Sequence, residues 1–136
     1  MGEQTDQSNE EFSQEIDDLI DKAVEDRNAG RAVKRLEDAI GMGIPEGQEA
    51  AAYQVLGTRY EDLGDSEMAI DSYSKSLDLH PDNPIVWFWR GELLFRNGQH
   101  YDAKSDFERA LEFQPPTALF SPESEQARDY LKQIGD

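Results

Sequence analysis

A 34-residue internal repeat is the feature that most constrains the fold of this chain. Shifting the sequence by 34 residues pairs identical residues at five positions and aromatic residues at two more: Gly57 with Gly91, Gly64 with Gly98, Ala69 with Ala103, Leu77 with Leu111, Pro81 with Pro115, Tyr53 with Trp87 and Tyr73 with Phe107. Self-similarity at this period is typical of a repeat architecture. We therefore divide the middle of the chain into two units, residues 50–83 and 84–117.

The residues that begin and end helices predict two helices in each unit. In the second unit Asn83 is expected to cap a helix that starts at Pro84, and Gly98 is expected to end it. The next helix should run from about Tyr101 to Phe113, because a following proline prevents continuation. The first unit repeats this pattern with Gly64, Asp65 and Pro81. Small residues are expected where the helices cross closely, at Gly57, Gly91, Ala69 and Ala103.

The motifs of the two units resemble the tetratricopeptide repeat family. The first unit, YQVLGTRY…A…Y…P, matches the family pattern almost fully. The second, WFWRGELL…A…F…P, departs from it at Arg90, where Leu is usual, and at Leu94, where an aromatic residue is usual. The resemblance implies an all-α fold, a short right-handed superhelix of helix-turn-helix repeats. It implies less about function.

The flanking segments extend the repeat in both directions. Residues 8–49 are interpreted as a divergent first helix pair, with a capping box at Ser8 and Glu11 and apolar spacing at Ile16, Leu19, Ile20, Ala23, Val24, Ala32, Leu36 and Ala39. Residues 118–136 are expected to form a linker and a capping helix that starts at Ser121 and Pro122, with an apolar stripe of Ala127, Tyr130, Leu131 and Ile134. We expect residues 1–7 to be disordered and residues 8–136 to form one domain.

Charge limits the classes of partner. Thirty acidic residues against thirteen basic ones give a net charge of −17, which disfavours nucleic acids and anionic membranes. Only five of the thirteen are Lys, a balance that resembles proteins of salt-accumulating microbes, although ordinary acidic solubility explains it equally well. The chain has no Cys, no signal-peptide pattern and no apolar run long enough to span a bilayer. A cytoplasmic location is the default expectation.

The helix PIVWFWRGELLFR is apolar on nearly every side, so its faces decide the functional prediction. Trp87 occupies the packing aromatic position of the repeat and is expected in the core. The resemblance implies that the first helix of each unit lines a concave groove. The positions that match this groove are Ala51, Gln54, Val55, Thr58 and Glu61 in one unit and Ile85, Phe88, Trp89, Glu92, Phe95 and Arg96 in the other. Alternatively, the capping helix or the Leu119–Phe120 segment covers Phe88 and Phe95.

The residues at the groove positions predict that the chain is a protein-binding module and not an enzyme. The family's best-known groove binds C-terminal carboxylates through Lys, Asn and Arg, but the matching positions here are Ile20, Val24, Val55, Ile85 and Trp89. The predicted groove is instead apolar with an acidic rim, suited to a helix or extended segment that carries apolar anchors and basic flanks. We expect a non-enzymatic adaptor, a monomer or weak homodimer, that binds a protein or peptide.

The chemical alternatives find little support in the sequence. His80 and His100 lie at helix boundaries and do not share a face, so neither a catalytic relay nor a metal site is expected, and no cofactor is implied. A structural protein that pairs two copies through the aromatic face is the alternative to an adaptor.

Overall fold

The computed structural model describes residues 2–135, with side chains from Gln7 onward. Within that range the backbone forms α-helices and one 3-10 turn and contains no strand, which confirms the predicted all-α class. The elements are α1 (Gly2–Glu25), α2 (Ala29–Met42), α3 (Glu46–Asp62), α4 (Ser66–Leu79), α5 (Pro84–Arg96), α6 (His100–Glu112), a 3-10 turn (Pro116–Ala118) and α7 (Pro122–Ile134). They make up two compact units, Met1–Ala69 (the N-terminal unit) and Ile70–Asp136 (the C-terminal unit). The prediction of one domain over residues 8–136 stays a prediction.

In the N-terminal unit, α1, α2 and α3 pack on one another through the predicted apolar stripes. Ala23, Ala32 and Leu36 are fully buried, as the helical spacing predicted. Val24 is the exception, since 55% of it is exposed in the last turn of α1. The carbonyl of Val24 accepts a hydrogen bond from Arg59 of α3, whose guanidinium also bonds the carbonyls of Ala23 and Asp26. A cation at these carbonyls stabilises the C-terminal end of α1.

The start of α1 differs from the prediction. The helix begins at Gly2, so Ser8 and Glu11 lie inside it and cannot form a capping box at its first turn. No proline interrupts the polar sequence before Ser8, and Gln and Glu are good helix formers, so nothing local stops the helix earlier. Met1 and the side chains of residues 2–6 lie outside the described part, and disorder of residues 1–7 stays a prediction.

The turn between α1 and α2 is organised by Asp26. Its carboxylate accepts hydrogen bonds from Arg31 Nε at 2.7 Å and from the backbone N–H of Asn28 at 2.9 Å. The Asn28 side chain in turn caps α2 by accepting from the N–H of Arg31. The Arg31 bond above all holds the pKa of Asp26 well below its usual range.

In the C-terminal unit, α5, α6 and α7 surround Phe107. Its ring is fully buried, lies 5.9 Å from Phe88 and stacks on Tyr130 of α7 at 4.7 Å, with the planes 2° apart. As predicted, α7 begins at Pro122, with Ser121 as its cap. Its apolar stripe packs against this core.

A glycine allows α5 and α6 to approach each other closely. A Cβ at Gly91 would lie 2.9 Å from Cε1 of the buried Phe107 and 3.2 Å from Cβ of Asp106. The predicted need for a small residue is confirmed at this crossing.

An ion pair also joins α5 to α6. Arg90 donates to both carboxylate oxygens of Asp106 at 2.8 Å and to Ser74 Oγ of α4 at 3.0 Å. The Asp106 side chain is 3% exposed and that of Arg90 is 20% exposed. Burial raises the pKa of Asp106, although the hydrogen bonds from Arg90 oppose the rise. The sequence showed that Arg90 departs from the usual Leu of the repeat, but it did not predict Asp106 as the partner of Arg90.

Gly91→Ala should lower the free energy of unfolding by about 1–3 kcal/mol, because the added methyl overpacks against a ring that cannot move aside. Gly41→Ala in α2 is the matched control, since a Cβ there meets nothing within 4 Å. The control should be neutral or more stable by up to about 1 kcal/mol. Urea unfolding measures both, and an equal response would contradict the close-packed crossing.

Arg90→Leu should destabilise the fold by about 3–5 kcal/mol, because it leaves the Asp106 carboxylate buried without its cation. The double variant Arg90→Leu/Asp106→Val should recover most of that loss, since apolar residues can replace a buried ion pair at little cost. A double-mutant cycle by thermal unfolding checks this. Additive losses would show that the two residues do not act as a pair.

Asp26→Asn should make the free energy of unfolding depend less on pH in the acidic range. Because the pKa of Asp26 in the folded state lies below its ordinary value of 3.8, its contribution is fully present above that value and is lost as the pH falls below it. Between pH 6 and pH 3, the wild-type protein should therefore lose more unfolding free energy in urea than the variant. Equal losses in the two proteins would contradict a lowered pKa of Asp26 in the folded state.

Candidate functional site

The α5 helix is the core of the predicted site, and the structure closes one of its faces. Phe88 is only 3% exposed and packs on Phe107 of α6. The prediction that Phe88 is an accessible groove residue is therefore wrong. The physical reason is that α6 and α7 together cover a wider arc of α5 than a two-layer packing requires.

Phe95, two helical turns further along the same face, is half-buried. Its ring stacks on His100 at 4.4 Å and meets Tyr130 of α7 at 4.9 Å. The cover therefore comes from α7 and the start of α6. The Leu119–Phe120 segment was the other predicted cover, but Leu119 is 42% exposed and Phe120 is 83% exposed.

Trp87 is less enclosed than its position in the repeat predicts. It is half-buried rather than part of the sealed core. Its indole Nε1 donates to the carbonyl of Pro81 at 2.7 Å, and the Arg90 guanidinium lies 5.0 Å from its ring centroid. An indole N–H needs a hydrogen-bond partner, and here that partner precedes α5, which holds the ring at the edge of the core.

The remaining predicted residues of α5 form one narrow stripe, which we call the α5 stripe: Ile85, Trp89, Glu92 and Arg96. At about 100° per residue these four positions fall within an arc of roughly 60°. Arg96 is exposed and the other three are half-buried. The stripe thus begins with two apolar side chains and ends with two charged ones.

Every member of the α5 stripe makes a contact in the C-terminal unit, and Ile85 and Trp89 both pack against the core around Phe107. Trp89 lies 5.9 Å from the ring of Tyr73, and Glu92 accepts a hydrogen bond from the Tyr130 hydroxyl at 3.1 Å. Arg96 approaches Glu92 at 3.9 Å. Burial first, and then the charge of Glu92, raise the pKa of Tyr130, so its hydroxyl keeps the proton that it donates. The sequence placed Tyr130 on the packing stripe of α7 but gave no sign of its bond to Glu92.

The other predicted groove residues lie on α3 of the N-terminal unit. Ala51 is exposed, whereas Gln54, Val55, Thr58 and Glu61 are half-buried. Thr58 Oγ1 donates to the carbonyl of Val55 at 2.7 Å, so this hydroxyl is engaged within its own helix. A shared groove of these residues with the α5 stripe stays a prediction.

Clusters of metal-ligand side chains and membrane-spanning helices are both absent from the described residues. They contain no group of three or more His, Asp or Glu side chains placed to hold a metal ion. No helix within the same range is both long enough and apolar enough to cross a membrane.

Comparison with known proteins identifies the repeat. Two family sequence models match the chain, one for the TPR repeat over residues 57–98 and one for the tetratricopeptide repeat over residues 84–116. The second match nearly coincides with the unit defined above by its 34-residue rhythm. No curated protein sequence matches the chain.

Solved structures with the same fold include secretion chaperones. The fold is similar to that of SycD, a type III secretion translocator chaperone of Yersinia enterocolitica, with a TM-score of 0.77, 22% identity, and coverage of 90% of this chain and 84% of SycD. A SycD structure in complex with a peptide of the translocator YopD gives a TM-score of 0.77 at 21% identity, covering 89% and 92%. The TPR domain of Arabidopsis OM64 gives 0.73 at 20%, covering 90% and 96%.

At these identities the likeness shows the fold alone, and it confirms the predicted helical-repeat architecture. The two repeat models match residues 57–116, so this part of the chain consists of tetratricopeptide repeats.

Proposed function

We propose that this chain is a non-enzymatic adaptor that binds a segment of a partner protein along the α5 stripe. The observation that carries the proposal is the position of Ile85 and Trp89, two apolar side chains that stay half-buried on one side of α5, whereas Phe88 is closed off. A partner segment can add to their burial without disturbing the packing beneath them. Of the four apolar groove positions predicted on α5, Ile85 and Trp89 stay in the proposal, and Phe88 and Phe95 leave it.

The tetratricopeptide repeats of residues 57–116 and one structural relative support this proposal. SycD, which shares the fold, has been solved with a peptide of YopD, so the fold can hold a peptide of another protein. We extend to this chain only that general mode of binding. The partner itself is defined by the chemistry of the stripe.

The chemistry of the stripe favours a short segment with one or two apolar anchors and basic flanks. The anchors would complete the burial of Ile85 and Trp89, and a basic residue would pair with Glu92. Because the stripe is narrow and already half covered, the apolar area that a partner can add is small, and association itself costs several kcal/mol. Transient, micromolar binding is the expected regime.

The alternative, a homodimer through the same aromatic face, has less support. It depended on exposed Phe88 and Phe95 rings, of which the first is buried and the second is covered by His100 and Tyr130. Two copies that each carry a net charge of −17 also repel each other unless salt screens them. Light scattering across a concentration series separates the two, because only the homodimer predicts a mass that rises with concentration.

Trp89→Ala should weaken peptide binding by about thirtyfold, corresponding to the roughly 2 kcal/mol typical of an interface hot spot. The ligand for the test is the tightest peptide selected from a random 12-residue display library. Fluorescence anisotropy of the labelled peptide gives Kd. Tyr101→Ala is the control, since Tyr101 is 86% exposed on α6 and should leave Kd unchanged.

A second pair of variants keeps the test informative if Trp89→Ala lowers the melting temperature. Arg96→Ala removes an exposed cation from the stripe, and Arg109→Ala removes a similarly exposed cation from α6. Only Arg96→Ala should change Kd. Unchanged binding in Trp89→Ala and Arg96→Ala together would remove the α5 stripe as the site.

A further inference from the structure

An apolar groove between α1 and α2 has no part in the proposal above. It encloses about 300 Å³, with Ile16 and Ala39 in its lining. Both are nearly buried and form the floor, whereas Phe12 and Met42, which also line it, are 38% and 81% exposed. An 81% exposed methionine beside a partly exposed phenylalanine is an apolar surface that the N-terminal unit leaves to solvent.

The groove continues along α1 into a second recess. This recess of about 370 Å³ shares Glu15, Leu19 and Arg35 with the first and extends to Lys22. From Phe12 to Lys22 the two recesses follow α1 for about 15 Å, at 1.5 Å per residue. That length accommodates roughly three turns of a second helix.

The charge of α1 sets the chemistry of what can bind there. Between Gln7 and Glu25 the helix carries seven acidic residues and one basic residue, and all seven acidic side chains are exposed. Among them, Glu15 and Asp18 line the groove itself. Asp38 lines it as well, so three acidic side chains face two basic ones there, Lys22 and Arg35, the latter 3.6 Å from Asp26.

These observations disfavour some occupants and favour one. A second copy of this chain would place the same acidic helix against itself, and nucleic acid would bring phosphates to carboxylates. A cationic amphipathic helix offers both complements, an apolar row for the groove and basic residues for its rim.

We propose that the α1–α2 groove is a second binding site, which takes a cationic amphipathic helix of a partner protein. One apolar side chain of that helix inserts between Phe12, Leu19 and Met42, and its basic residues lie against Glu15 and Asp18. No residue of the α5 stripe takes part, so this site can fail or hold independently of the proposed function.

The test uses the full chain and a defined probe, a fluorescein-labelled 14-residue helix with Leu at positions i, i+3, i+4 and i+7 and Lys at the others. In about 0.15 M salt, the physiological ionic strength, we expect saturable 1:1 binding by anisotropy. Carbon-13 labelling of the methionine methyl groups locates the site. The Met42 resonance should shift on binding, whereas that of Met68 on α4 should not.

Matched variants separate the groove from general attraction to an acidic protein. Met42→Ser should weaken binding about tenfold, while Tyr101→Ser, which removes an equally exposed apolar side chain from α6, should leave it unchanged. Glu15→Gln/Asp18→Asn should weaken binding to a similar extent and reduce its dependence on salt. A peptide with Glu in place of Lys should not bind.

Three results would overturn the proposal. If Met42→Ser and the wild type bound the peptide with equal affinity, general charge attraction alone would explain the binding. Loss of binding in Trp89→Ala would move the site to the α5 stripe. Sedimentation that shows a wild-type dimer, lost in Met42→Ser, would make a second copy the occupant.

Discussion

The buried ring of Phe107 fixes how the helices of the C-terminal unit pack on one another. Phe107 needs Gly91 in order to approach α5, meets Phe88 on that helix and stacks on Tyr130 of α7. Because this ring is fully buried, three helices must converge on it. The convergence decides which faces of α5 are used internally and leaves the α5 stripe partly exposed.

The sequence predicted the parts of the fold that depend on local chemistry. Gly64 and Gly98 adopt positive φ after their helices, Asp65 caps α4 through the N–H of Met68, and Pro122 starts α7. Each of these follows from backbone preferences of single residue types, which act over a few residues. The 34-residue rhythm then placed Tyr73 and Phe107 at equivalent core positions, and both are fully buried.

The accessible faces of α5 could not be predicted in the same way. A helix that is apolar on nearly every side has no polar face to orient it toward solvent, so angular spacing separated its faces without saying which neighbour covers each one. The cover for Phe95 comes in part from Tyr130, in a segment that lies outside the repeat and has no counterpart in the other units. The sequence also did not reveal that Asp106, next to Phe107, would be buried against Arg90, because a carboxylate is ordinarily exposed.

Three arginines organise turns and helix contacts within the fold. Arg31 is bound to Asp26, Arg59 to the carbonyls at the end of α1, and Arg90 to Asp106. These cations hold turns and helix contacts, so their charge is engaged within the fold while most carboxylates remain at the surface. The surface is therefore acidic, with apolar side chains partly exposed on α5 and in the groove between α1 and α2. The two proposed sites share no side chain, because one lies on α5 and the other on α1 and α2.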